Sequence, residues 1–293
     1  MKLEKSGNSI SHSEFYGYLE ESECVSKWLK EQPIVQDEYL NFFIDWVRSS
    51  KLNNFFGLKK FKRRFISLGT TQALDWFHYY TKLKNKKLRL LHGEYPYNRD
   101  VTDFDYNNDF IVDYNDLTDQ DTLIISIPFS GNGSYPEDLF NLLNICDRRN
   151  VEVLIDCAWF GTCERLEFDF NHDCIIGATF STTKGLNCGN YRNGILFTNS
   201  KECGLGLQTD WKHGIHLNTF IGLELMKNFS PDTIPLTYKF MQLEVCEKIK
   251  INPTNTMHIG LGNENDWKAY RRDKSNYYRI NIRKPIKELY NEK

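Results

Sequence analysis

Apolar positions recur along this chain with two periods. Between Asp37 and Val47 they fall at Leu40, Phe43, Ile44 and Val47, the spacing of a helix packed on one side. Beyond residue 60 the pattern becomes short apolar runs separated by polar turns. Residues 64–68, 88–91, 122–127, 151–155, 175–180 and 194–198 read as strands. Helices are expected over 72–82 and 136–149, the second opened by Pro136, which suits a first helical turn. The run 151–155 has one charged residue among apolar ones, as in a buried parallel strand. Strand and helix alternate, which predicts an α/β sheet. After Ser200 the alternation stops. Residues 216–227 and 236–249 read as helices, and 257–260 and 277–282 as strands. The chain therefore divides into a helical N-terminal segment (1–56), an α/β domain (57–200) and a smaller α+β unit (201–293).

Charge and composition narrow the classes. The 293 residues carry 37 basic and 39 acidic side chains, a net charge of −2, which argues against a dedicated nucleic-acid binder. No run of about 18 apolar residues predicts a membrane span, and residues 1–14 lack the apolar core of a signal peptide. The eight cysteines include no C-x-x-C pair, so reduced thiols in the cytoplasm are expected. His213 and His216 lie three apart without a third ligand, so no metal site is expected. The basic run at 59–64 reads as a solvated helix face before a strand, with contact to a phosphate or nucleic acid as the alternative.

Four segments carry candidate chemistry. In the segment from Thr179 to Gly194, Lys184 sits in a loop between two buried strands. Ser181 lies three residues before it and Arg192 eight after. A partly desolvated lysine can lose its proton near neutral pH and attack a carbonyl. A hydroxyl and a guanidinium beside it suit a phosphate dianion. Asp156 ends a hydrophobic strand, where open α/β sheets bind ligands and where a carboxylate can hold a ring nitrogen protonated. Gly69-Thr70-Thr71 joins a strand to a helix and offers an anion cradle at a helix N-terminus. Arg279, in Tyr278-Arg279-Ile280-Asn281, suits a bidentate carboxylate. Each segment alone has a plainer explanation: a surface loop, an Asp capping a turn, a Thr N-cap and an edge-strand charge.

Taken in this order, the four segments resemble the class I/II aminotransferase family, the fold-type-I pyridoxal-phosphate enzymes. The resemblance runs from about Phe65 to Asn199 and returns at Tyr277 to Ile282. It implies a mostly parallel central sheet with helices on both faces and a reduced small domain. It implies pyridoxal 5′-phosphate as cofactor, amino acid and keto acid substrates, and a homodimer with active sites at the interface. Lys184 would form the Schiff base and move protons at the substrate Cα. Asp156 would pair with the pyridine nitrogen. Ser181, Arg192, Thr70 and Thr71 would bind the phosphate. Tyr95 would stack on the ring, with Tyr97 as competitor. Ser130 or Asn132 would replace the family's cofactor-contacting asparagine. Trp159 stands where the family has a tyrosine that donates to the phenolic oxygen. Arg279 would receive the substrate α-carboxylate. The expected activity is transamination. Alternatives are a lyase, decarboxylase or oxidase on the same residues, or a non-catalytic binding or regulatory protein on a degenerate scaffold.

Overall fold

A computed structural model describes residues 3–200, 204–213 and 215–292. Its centre is a six-stranded sheet. In spatial order the strands are Arg63–Ser67, Gly194–Thr198, Ile175–Ser181, Glu152–Cys157, Asp121–Ser126 and Lys87–Arg89. All run parallel except Gly194–Thr198, which pairs antiparallel with both neighbours.

Both faces of this sheet are covered, and alternation along each strand decides what covers them. Ile124, Leu154 and Leu196 point toward Ala73, Leu74 and Phe77 of the helix Gly69–Leu83. Leu123, Ile125, Val153, Ile155, Phe180 and Phe197 belong to the larger core on the opposite face. That core includes Leu142 and Cys146 of the helix Leu139–Arg149 and Phe43 of the helix Gln36–Arg48. Each large apolar side chain fully buried there stabilises the fold by roughly 1.5–3 kcal/mol.

Element boundaries differ from the sequence pattern in instructive places. The helix expected from Pro136 begins at Leu139, because Asp138 adopts a left-handed conformation (φ 52) that no helical turn can include. The helix after the first strand begins earlier than expected, at Gly69. The helix expected from 236 starts at Thr233, with Pro235 in its first turn, where it has no hydrogen bond to lose. The basic run forms a short 3-10 turn, Leu58–Lys60, and the start of a strand rather than a helix face. Cys203 lies outside the described residues, and the seven other cysteines are free and buried.

The C-terminal region is α+β. The strands Asn252–Pro253, Ile259–Gly262 and Tyr278–Asn281 form an antiparallel sheet, and the helix Thr233–Lys248 packs against the helix Arg283–Glu292. The helix His216–Asn228 packs against Gln36–Arg48 near the N-terminus of the chain. Among the described residues no helix is long and apolar enough to cross a membrane.

Candidate active site

The C-terminal ends of four parallel strands meet at one edge of the sheet. Ser67 and Ser181 both pair with Gly194, Asp156 pairs with Thr179, and Ser126 pairs with Asp156. The loops leaving these ends open around a pocket of about 530 Å³, a size suited to a small-molecule ligand. Thr70, Thr71, Tyr95, Ser130, Asp156, Trp159, Ser181, Lys184, Arg192 and Arg279 all line it. Residues as much as 209 positions apart in sequence therefore share one site, as the topology requires.

Lys184 lies on a single helical turn, Thr182–Gly185, directly after its strand. Burial pushes its amine down to about 8; Asp156 opposes the shift, and Arg279 and Arg192 add to it. Asp156 is 3% exposed and accepts a hydrogen bond from the Ala158 N–H at 3.0 Å. Burial raises its carboxyl to about 6, against the pull of Lys184, the Ala158 N–H and the Thr70 hydroxyl. The two loops approach closely because Gly161 and Gly185 have no side chains. A Cβ on Gly161 would stand 2.9 Å from the Gly185 Cα.

The segment expected to hold an anion lies at the N-terminus of the helix Gly69–Leu83, where the first N–H groups of a helix have no partner within it. The Gln72 side chain accepts the Leu68 N–H at 2.8 Å. Arg192 donates to the Thr71 hydroxyl at 2.9 Å. Thr183 presents a buried hydroxyl with no hydrogen-bond partner in the structure. Gly69 holds φ +71, and a Cβ there would meet Arg192 Nη2 at 3.0 Å and Thr183 Oγ1 at 3.4 Å. Gly69→Ala is therefore expected to weaken binding of inorganic phosphate by about tenfold, because the added Cβ displaces the Arg192 donor, a loss of roughly 1.5 kcal/mol for a hydrogen bond to a charged group. Phosphate titration by calorimetry checks it, and unchanged affinity would remove Gly69 from the cradle.

Some expected residues take other partners. Asn132 donates to the Tyr135 carbonyl and accepts the Ser134 N–H, so it organises the turn, and Ser130 is the residue that lines the pocket. Trp159 lines the pocket and gives its indole N–H to the Gly7 carbonyl at 3.2 Å. Tyr95 lines the pocket with its ring 5.9 Å from Lys184 Nζ, whereas the Tyr97 hydroxyl donates to Asp75. Arg279, 3% exposed, donates to the Ser130 carbonyl at 2.6 Å and the Lys5 carbonyl at 2.8 Å, and its Nε has no partner. Among the described residues no three metal-ligating side chains stand together.

Sequence reasoning missed two groups. The first is the N-terminal strap. Glu4 bridges to Asn281, Ser9 donates to the Lys184 carbonyl at 2.9 Å, and the His12 N–H donates to Asn187 at 2.6 Å. Residues 5–9 thereby form one wall of the pocket. Their stretch Ser6-Gly7-Asn8-Ser9 has no apolar period that could have marked it.

The second is Glu94, 2% exposed beneath Tyr95. Its carboxyl accepts the Ser126 N–H at 2.9 Å, the Ser126 hydroxyl and the Tyr95 N–H at 2.7 Å. Ser126 Oγ in turn accepts the Ser130 N–H at 2.8 Å, so Glu94 anchors the turn that holds Arg279. Burial pushes Glu94 up to about 7, against its hydrogen bonds from Ser126 and Tyr95, while the nearby Asp156 charge raises it further. Because the folded value lies above the unfolded one, the folded chain holds the proton longer. The stability this contributes is present near pH 5 and lost as the pH rises through about 7. Between pH 5 and 8 the natural protein should lose about 2 kcal/mol more than Glu94→Gln, since Asp156 titrates in both. Urea melts at the two pH values measure this; parallel profiles would contradict it.

No protein-family model matches the sequence, and no curated protein matches it. Solved structures do. An aromatic aminotransferase from Pyrococcus horikoshii OT3 superposes with a TM-score of 0.64 at 12% identity, over 98% of this chain and 95% of that one. The histidinol-phosphate aminotransferase from Clostridium acetobutylicum gives 0.58 at 13%, over 98% of each. A C–S lyase from Staphylococcus hominis, with bound pyridoxal phosphate, gives 0.60 at 12%, over 92% of this chain and 81% of that one. At such identities the likeness is one of architecture: this chain has the fold of the aminotransferases and the C–S lyase to which it is similar.

Proposed function

We propose that this protein is a pyridoxal-phosphate-dependent enzyme that acts on an amino acid and transfers its amino group to a keto acid. The observation that carries this reading is the convergence of Lys184, Asp156 and a hydroxyl–guanidinium cradle in one pocket at the sheet edge. The fold, shared with structures that hold pyridoxal phosphate, supports it.

The residues present fit that group. The cradle contains an orphaned Thr183 hydroxyl and a Gly69 whose missing Cβ leaves the space open. Bound pyridoxal phosphate supplies an aldehyde and an electron-withdrawing ring. Ser181, Thr70, Thr71, Thr183 and Arg192 would hold its phosphate. Asp156 would keep a proton on the ring nitrogen, a role for which its ionised form is needed. Tyr95 and Trp159 would flank the ring, and Ser130 would stand beside it. Lys184, with an amine titrating at about 8, is partly unprotonated at neutral pH and able to engage a carbonyl. The same amine would hold and move the proton at the substrate Cα. Arg279 would receive the α-carboxylate.

The test is the visible spectrum of the purified protein before and after borohydride, with peptide mapping. A band whose reduction leaves the group on Lys184 is expected. A protein that takes up no pyridoxal phosphate and carries no adduct would sink the reading. The likeness to a C–S lyase keeps β-elimination as a second reading. Product formation that needs no keto acid would favour it. The homodimer belongs to the proposal, with sedimentation as its measure, as does a cytoplasmic site, which suits the free cysteines.

A further inference from the structure

The pocket is lined by Lys5, Lys184, Arg192, Arg272, Arg279 and Arg283, and among the described residues Asp156 is the one carboxylate that lines it. Most of these cations have a task or a partner. On the reading above, Arg192 answers a phosphate, Lys184 engages a carbonyl, and Arg279 answers an α-carboxylate. Arg283 is held by Glu4, Nε to Oε2 at 2.7 Å. Lys5 is exposed and lies over the Tyr270 ring.

Arg272 is left over. Its Nε and Nη2 are shut off from solvent and have no hydrogen-bond partner in the structure. The carboxylates near it are engaged elsewhere. Asp273 binds Arg99 and accepts the Gly93 N–H at 3.2 Å. Glu94 is engaged by Ser126 and Tyr95. Burial and Arg99 both disfavour the Arg272 charge, with Asp273 and Glu94 opposing them. The chain nevertheless fixes this residue firmly. The Arg272 N–H donates to the Tyr277 carbonyl at 2.9 Å, and Arg271 bridges to Tyr278, so one turn sets Arg272 on the approach to the Arg279 strand. Arg279 feels its positive charge. Two guanidinium groups close enough to repel, each with an unpaired donor and both lining one pocket, are stabilised together by a ligand with two negative groups.

We propose that the pocket selects an amino acid whose side chain ends in a second anionic group, a carboxylate or a phosphate monoester, and that Arg272 receives it. The proposal rests on the amino-acid reading above, with Arg279 taking the α-carboxylate. Arg272 then acts as the determinant of side-chain charge. The phosphate of the cofactor would be met by Arg192 at the N-terminus of the helix Gly69–Leu83 and would not compete for it.

Unreactive acids test this by binding alone. The protein loaded with pyridoxal phosphate is titrated calorimetrically with glutarate and with valerate, which differ only in the terminal carboxylate. A third titration uses 3-phosphonopropionate. Glutarate or the phosphonate should bind about tenfold to a hundredfold tighter than valerate. Whichever of the two binds better names the anionic group. In Arg272→Gln the preference should collapse toward one. Arg272→Lys, which keeps the charge and loses the fork, should fall between, and it serves if the Gln variant does not fold. Equal binding of glutarate, phosphonate and valerate, or a preference that survives in both variants, would overturn the proposal. A protein that takes up pyridoxal phosphate yet shows no dianion preference loses this inference alone. One that takes up none, but shows an Arg272-dependent preference when titrated without it, loses the cofactor reading alone.

Discussion

Lys184→Ala should abolish covalent retention of pyridoxal phosphate and lower turnover by at least about 10⁴-fold, the upper range for loss of a positioned proton carrier. The side chain does two jobs in the proposed reaction, holding the cofactor and then moving the Cα proton, and no neighbour replaces it. Lys5, the other lysine lining the pocket, is exposed on its N-terminal wall. The substitution leaves the local backbone intact, since Ser9 and Asn187 hydrogen-bond the Lys184 carbonyl and not its amine. The pH dependence of uptake gives an independent check. The amine must be unprotonated to react, and burial has brought it down to about 8. Uptake by the natural protein should therefore rise about fivefold from pH 7 to 8 and level off above. Mass mapping after borohydride reads the first outcome and stopped-flow absorbance the second. Trapping at full level on another lysine in the variant would dismiss Lys184 as the attachment point.

The second large effect is Asp156→Asn, expected to lower turnover on the order of 10³-fold with the cofactor still retained. The two side chains have the same shape. The remaining oxygen can keep the Ala158 N–H, so folding has little reason to fail. What disappears is the negative charge at the C-terminal edge of the sheet, the feature that would keep a ring nitrogen protonated. A second signature separates this loss from a merely structural one. Asp156 raises the Lys184 pKa, so its neutralisation should move the amine further below about 8 and shift the uptake profile toward lower pH. Retained turnover within threefold of the natural protein, or an unmoved uptake profile, would remove Asp156 from this role.

The resemblance seen in the sequence held at the level of architecture because its carriers were local. Asp156 ends an apolar strand, Lys184 follows another, and Gly69-Thr70-Thr71 opens a helix. Each places its chemistry at a strand end by the pairing of its own strand, and parallel strands put those ends on one edge. The short, nearly unbroken apolar runs likewise predicted strands buried on both sides, as the two cores show. Boundaries were less legible. Asp138 stops a helix by its backbone conformation, and its residue type alone does not signal that choice.

The sequence by itself determined the α/β alternation, the order of the strands along the chain and the identity of the lysine, aspartate and cradle that end them. Only the tertiary structure decided what closes the pocket. The strap at residues 5–9 reaches the site through the Lys5 carbonyl on Arg279, the buried Glu94 through Ser126, and Arg272 by lining the same pocket with two unpartnered donors. In the sequence they read as a polar N-terminus, a loop acid and one member of the charged run Arg271-Arg272-Asp273-Lys274. Periodicity records which side of an element is buried, a property of neighbours three or four residues apart. A polar side chain in a loop carries no such period. Its burial and its partners are set by distant segments, as where Glu4 holds Arg283 from 279 residues away, and exist only once the chain has folded.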